Sequence, residues 1–247
     1  MKIGILLCGS PPKNVRATFG GWTERFAHLL SGHGFIFRGW DVENLEFPES
    51  VDSADGWLIT GSRHGAYEPH PFIPPLENFI RDTHRMAIPL VGICFGHQVV
   101  AKAMGARVEK FSEGWAVGHR PYRIEGLGEV NLNAWHQDQV LDVPKTARVV
   151  ARNDFTRYAG LQYADHCLTF QPHPEISPDM IGVYVRDRLD NLAYPPGVLQ
   201  HALDLSGLPT DDMRVMNRIA EFLLSAHQRR TNGPTDTGAV PVDLAEG

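Results

Sequence analysis

The chain reads as an α/β protein, a doubly wound and mostly parallel sheet with antiparallel additions. Two features of the sequence predict it. Short apolar runs alternate with helix-period patterns through residue 105. Between residues 106 and 172 the helical period then gives way to short strand-like runs separated by turn signals such as Glu113-Gly114.

Residues 2–9 (KIGILLCG) are an apolar run ended by Gly9, which suits a strand buried on both faces. Residues 22–31 place Phe26, Leu29 and Leu30 on one helical face. Residues 34–41 (GFIFRGWD) predict a second strand and residues 56–60 (GWLIT) a third, stopped by Gly61 and Ser62. Residues 73–86 predict a helix with Pro74 and Pro75 at its start, where a missing N–H costs nothing. Residues 88–93 (IPLVGI) predict a fourth strand, followed at once by a helix over 95–104 closed by Gly105. This β-α-β-α order places helices on both faces of a parallel sheet. RVEKF, YRIEGL, EVNLN, ARVVAR and CLTFQ then read as antiparallel additions and hairpins. Residues 178–191 and 210–228 predict helices. From Thr231 onward the sequence is short of large apolar groups and rich in Gly, Pro and Thr, which predicts disorder.

Composition narrows the function. The chain has 247 residues and is 43% hydrophobic, enough for one large core. Its formal net charge is −6 with both signs interspersed and no basic run, which argues against nucleic acid as a partner. No apolar stretch reaches the roughly 18 residues of a membrane span, and the N-terminal apolar run is too short for a signal peptide. Cys8, Cys94 and Cys167 cannot all pair, so a reducing cytoplasm is the expected setting. No phosphate-loop motif is present, so the chain is not expected to activate an acceptor with ATP.

The sharpest chemical feature is Val91-Gly92-Ile93-Cys94-Phe95-Gly96-His97-Gln98, at a strand-to-helix junction. A Gly-x-nucleophile-x-Gly turn there is a nucleophile elbow. It projects the thiol above the strand ends, where open α/β sheets bind ligands. The positive end of the following helix dipole favours negative charge at that place. The Phe95 N–H, one residue on, is placed to donate to a developing oxyanion. A free cysteine is otherwise most often a small buried hydrophobe, the competing reading of Cys94. The second feature is Gln171-Pro172-His173-Pro174-Glu175, at the end of another apolar run. His173 can serve as general base for a thiol, and Glu175 can hold its tautomer. Alone, His-Pro-Glu is as easily a surface turn; the cysteine elbow upstream gives it meaning.

Together, Gly-Ile-Cys-Phe-Gly-His-Gln and Gln-Pro-His-Pro-Glu resemble the triad signature of class I glutamine amidotransferases, over residues 2–190. ITGSRHGAYE, GICFGHQVVAKAMG and EGWAVGHR are similar to free-standing GMP-synthase-like members and to plant γ-glutamyl peptidases. The resemblance implies a flavodoxin-like class I glutamine amidotransferase fold over residues 1–230, with 231–247 as a disordered tail. It implies Cys94 as nucleophile, His173 as acid/base and Glu175 as its orienter. It implies an oxyanion hole from backbone N–H groups of Gly61, Ser62 and Phe95, and a γ-glutamyl pocket from Gln98, Trp135, His136, Gln137 and Asp138. Ser62 stands where many relatives carry a second glycine.

The expected activity is cysteine-dependent hydrolysis of a γ-glutamyl C–N bond, in a glutamine amide or a γ-glutamyl peptide. One alternative is a glutaminase subunit that hands ammonia to a separate synthetase. Another is a non-catalytic binding module, against which the intact triad argues. A dienelactone-hydrolase-like fold would place the orienting carboxylate before the histidine, whereas Glu175 follows it. No cofactor or metal is expected, because no H-E-x-x-H or C-x-x-C spacing occurs among the twelve histidines and three cysteines. His64 and His70 read as surface residues or pocket rim. His136 and Asp138 could form a second acid/base pair but read better as pocket lining.

Overall fold

The computed structural model describes residues 1–232. Its strands are β1 (Lys2–Leu6), β2 (Ile36–Trp40), β3 (Gly56–Ile59), β4 (Leu90–Ile93), β5 (Val108–Lys110), β6 (Ala116–Ile124), β7 (Gly128–His136), β8 (Asp138–Val140), β9 (Ala147–Arg152), β10 (Gly160–Tyr163) and β11 (Cys167–Phe170). Its helices are α1 (Lys13–Phe19), α2 (Trp22–Leu29), α3 (Ile73–Arg85), α4 (Phe95–Ala103), α5 (Pro178–Arg186), α6 (Val198–Asp204) and α7 (Asp212–Asn232).

Nine strands form one sheet in the order β2-β1-β3-β4-β11-β10-β9-β6-β7. The five from β2 to β11 are parallel to their neighbours. The rest, from β10 outward, are antiparallel. Strands β5 and β8 make a separate two-stranded ribbon. The mixed sheet is the predicted fold class.

The inner parallel strands β3, β4 and β11 are buried at every position because both sheet faces are covered, whereas the edge strand β2 is largely open. Ile3, Ile5, Leu58, Val91, Ile93, Leu168 and Phe170 pack on one face with α2, α5 and α7. Leu6, Trp57, Ile59, Leu90 and Cys167 pack on the other with α3 and α4. Burial of each such side chain contributes about 1.5–3 kcal/mol.

The structure corrects several expectations. CLTFQ reads as one of the antiparallel additions and hairpins. Strand β11 does pair antiparallel with β10, from Tyr163↔Cys167 to Gly160↔Phe170. On its other side, however, β11 pairs in parallel with β4, from Cys167↔Leu90 to Phe170↔Ile93. All four of its residues are buried, the mark of a central strand. The helix expected over 178–191 stops at Arg186. Helices α1 and α6 and strands β8 and β10 were not anticipated; each is short and carries few periodic apolar positions. Helix α7 includes Thr231 and Asn232, past the expected start of disorder, and Thr231 Oγ1 donates to His227 O at 3.0 Å. The rest of the tail expected to be disordered lies outside the described residues.

One junction sets where chemistry can occur. Strand β4 ends at Ile93 and α4 begins at Phe95, so Cys94 alone makes the turn. Its backbone sits at φ 53°, ψ −103°, which an L residue adopts only under constraint. The flanking glycines make room for it. A Cβ on Gly92 would lie 2.6 Å from Gly96 O, and one on Gly96 would overlap the Ile59 carbonyl at the end of β3.

Gly96→Ala should therefore push β3 and α4 apart and destabilise the protein by about 1–3 kcal/mol. Urea unfolding measures this, and an unchanged midpoint would contradict the packing described.

Candidate active site

Cys94 is 5% exposed and lines a cleft of about 570 Å³ above the C-terminal ends of β3, β4 and β11. Its sulfur lies 3.5 Å from Gln171 Nε2, which donates to it, and 3.9 Å from the carbonyl of Trp135. Cys8 and Cys167 are buried, and burial pushes both thiols well above their ordinary range. Cys94 is thus the one cysteine that opens on a cleft.

His173 and Glu175 come to the same place from the end of β11. His173 Nδ1–H donates to Glu175 Oε1 at 2.6 Å, and the two residues are 7% and 1% exposed. Backbone bonds hold this turn in register with β7. His173 N–H donates to Asn133 O at 2.9 Å, and Asn133 Nδ2 donates to Ile176 O at 2.9 Å. Arg25 Nε, from α2, donates to Glu175 O at 2.9 Å. The other ring nitrogen, His173 Nε2, is buried and has no partner in hydrogen-bond geometry.

Burial by itself would lower the His173 pKa. The charge of Glu175, and next that of Cys94 beside the ring, outweigh it and hold His173 well above its ordinary value. Cys94 and His173 are therefore electrostatically coupled although no linear S–N hydrogen bond is formed.

The loop after β3 closes against this pair. A Cβ on Gly61 would sit 3.2 Å from His173 Cε1 and 3.8 Å from the Cys94 Cβ, so only a bare backbone fits without moving the imidazole. Ser62 lines the cleft, and its hydroxyl accepts from His64 N–H at 3.2 Å, which fixes the turn that follows. Phe95 offers only its backbone here. Its ring is 1% exposed and packs 5.9 Å from Phe72 in the core. As the first residue of α4 its N–H has no intrahelical acceptor.

Gln98, Trp135, His136, Gln137 and Asp138 all line the cleft. Both hydrogens of Gln98 Nε2 are committed, to Asp138 O at 2.9 Å and Gln171 Oε1 at 3.1 Å, which leaves only its carbonyl oxygen for a ligand. His136 does not pair with the Asp138 carboxylate. Its Nδ1 faces Asp138 O at 3.3 Å, while Asp138 Oδ1 accepts from Tyr67 OH at 3.3 Å. Burial, then the neighbouring His173, lowers His136 to about 3, so its ring is neutral near pH 7. Trp135 Nε1 donates to Tyr194 OH at 3.1 Å.

Other residues entered the site without being singled out in the sequence. Gln171 lay inside the quoted motif, and its position before His173 was the signal that could have found it. Trp115, inside the quoted EGWAVGHR, also lines the cleft. Tyr184, Arg188 and Tyr194 gave no signal, because only folding brings them there, and Arg25 gave none because only folding brings it to the Glu175 carbonyl. The Arg188 guanidinium stacks over Trp135 at 5.4 Å and Tyr184 at 5.3 Å.

Comparison with known proteins now decides the family. Residues 35–188 match the model of the class I glutamine amidotransferases. The chain belongs to that family. It is 27% identical over 243 residues to a glutamine amidotransferase-like protein of Schizosaccharomyces pombe, covering 90% of this chain and 98% of the relative. It is 30% identical over 193 residues to γ-glutamyl peptidase 4 of Arabidopsis thaliana, covering 72% and 77%. A glutamine amidotransferase crystal structure from Methylobacillus flagellatus superposes with a TM-score of 0.74 at 19% identity, covering 93% of this chain and 94% of that one. As an amidotransferase-family chain, this one carries the family fold at full breadth.

The raised His173 value makes a stability prediction. A group whose folded pKa exceeds its unfolded one stabilises the fold below the unfolded value, about 6.5 for histidine, and that contribution is lost as pH rises through the folded value. Glu175→Gln removes the partner charge. The stability gap between wild type and Glu175→Gln should be largest near pH 6 and shrink as the pH climbs, in urea unfolding at a series of pH values. A gap that widens toward alkaline pH would mean Glu175 does not hold the proton on His173.

Proposed function

We propose that the chain hydrolyses a γ-glutamyl C–N bond by covalent cysteine catalysis, with residues 1–230 acting as one amidotransferase-like domain. The observation that carries this reading is the convergence of Cys94 and the His173–Glu175 pair on one cleft, with the Gly61 backbone closed over them.

The Cys94 sulfur attacks the γ-carbonyl carbon after its proton passes to His173. Negative charge develops on the carbonyl oxygen, which the N–H groups of Phe95 and of the Gly61–Ser62 loop receive. His173 then gives its proton to the leaving nitrogen, the C–N bond breaks, and a γ-glutamyl thioester remains. Water, deprotonated by His173, releases glutamate and restores the thiol. Glu175 keeps Nδ1–H occupied, so Nε2 is the nitrogen that carries the mobile proton. The bound glutamyl group lies against Gln98 and the segment from Trp135 through His136 and Gln137 to Asp138. There the Gln98 carbonyl oxygen and the Asp138 carboxylate suit its α-amino group. Trp135 continues with Tyr194 and Trp115 into an aromatic wall that offers the leaving group an apolar surface.

The test is a panel of glutamine and γ-glutamyl dipeptides with the purified chain. Cys94→Ala should lower turnover by roughly 10⁴-fold or more. Wild-type rates in that variant would sink the mechanism. Turnover of dipeptides by the chain alone supports a free-standing hydrolase. Glutamine turnover that appears only after a synthetase is added supports an ammonia-delivering subunit. A chain that an electrophilic glutamine analogue fails to label at Cys94 would be a binding module.

A further inference from the structure

A second cluster of chemically capable side chains stands on the rim of the same cleft. The loop between β3 and α3 carries His64, Glu68 and His70, and one ligand atom from each lies within 4.8 Å of the others. The two imidazole rings are 3.9 Å apart, centroid to centroid. His70 Nε2 is 2.8 Å from Glu68 Oε2, and His64 Nδ1 is 4.0 Å from the same oxygen. Glu43, on the short turn after β2, accepts from His64 Nε2 at 2.9 Å.

That last bond decides the chemistry. A carboxylate only accepts, so the neutral His64 ring carries its hydrogen on Nε2 and presents a lone pair at Nδ1. The lone pair faces Glu68 Oε2, also an acceptor, across 4.0 Å. Two acceptors facing each other repel, and a cation between them turns that repulsion into two bonds. Around a tetrahedral ion with bonds of about 2.0–2.1 Å, neighbouring ligand atoms are about 3.3 Å apart. The two separations here, 2.8 and 4.0 Å, straddle that figure. The carboxylate behind His64 is the usual outer partner of a metal-bound imidazole, fixing its tautomer and aim.

The loop is also held in shape. Glu68 N–H donates to Gly65 O at 3.0 Å, His70 N–H to Glu68 O at 2.9 Å, and Ile73 N–H to His70 O at 3.1 Å. Two imidazoles and one carboxylate suit zinc, cobalt or nickel better than magnesium or calcium. The spacing H-x-x-x-E-x-H is not a helical metal motif; the loop fold brings the three together.

We propose that His64, Glu68 and His70 form a three-ligand site for a divalent first-row transition ion of the zinc class, with Glu43 orienting His64. His64, Glu68 and Glu43 line the cleft that holds Cys94, so a fourth coordination position opens on that cleft. Loading moves the His70 Nε2 hydrogen to Nδ1 or to solvent and leaves the oxidation state of the ion unchanged.

Titration of the full chain with Co²⁺ tests this, followed by Zn²⁺ competition against a chromophoric chelator. One equivalent should bind with the visible absorption of nitrogen and oxygen ligands and no thiolate-to-cobalt charge-transfer band. Cys94→Ala should bind equally well. His64→Ala and His70→Ala should each weaken binding at least 10-fold, and Glu43→Gln, on a separate segment, by roughly 10-fold or more. Absence of stoichiometric binding by the wild-type chain would overturn the proposal. So would a thiolate charge-transfer band lost in Cys94→Ala, or full affinity in His64→Ala and Glu43→Gln.

Discussion

The strand-to-helix turn at Cys94 is the constraint on which the rest of the structure depends. A single residue reverses the chain between β4 and α4 with a positive φ, and two glycines give the backbone room to do so. Such a conformation costs of order 1–3 kcal/mol and persists only when its surroundings enforce it. Here the enforcement is a central strand paired on both sides and a helix packed against the sheet. The thiol that results has little freedom and opens on the cleft.

Around that fixed point the polar groups are few and almost all committed. Gln98 bonds Gln171 and the Asp138 carbonyl, and Gln171 bonds the Cys94 sulfur, so helix, strand end and hairpin are tied into one network. Asn133 ties the His173 turn to β7 in the same way. The exceptions at the site include His173 Nε2, Glu175 Oε2 and His136 Nε2, all buried without a partner. Buried polar atoms without partners are costly, and a site that must move a proton is where such a cost is tolerated.

The match to the family runs over residues 35–188 and includes the elbow and the histidine turn. The aromatic wall of the cleft lies mostly within the same stretch, with Arg188 stacked on Trp135 and Tyr184, and Tyr194 joins it from beyond. Among the described residues no helix is long and apolar enough to cross a membrane. The cleft therefore has two differently built margins, an aromatic one on the hairpin side and a histidine–carboxylate one on the loop after β3.

By itself the sequence determined what depends on neighbours along the chain. The apolar runs marked the parallel strands, because a strand covered on both faces must be apolar at every position. Gly92, Cys94 and Gly96 marked the elbow, because a turn that tight is written within five residues. His173 and Glu175, two apart, fixed their own pairing. Only the tertiary structure decided what depends on residues distant in sequence. It set CLTFQ, one arm of a hairpin with β10, in parallel register against β4 at the centre of the sheet, a neighbour chosen by packing and not by order. It spent the Gln98 amide on internal bonds, turned the Asp138 carboxylate to Tyr67 instead of His136, and brought Arg25 beneath Glu175. It also aligned Glu43 behind His64, 21 residues apart. Local backbone rules reach only a few residues, whereas side-chain contacts across a sheet edge follow from how the layers close.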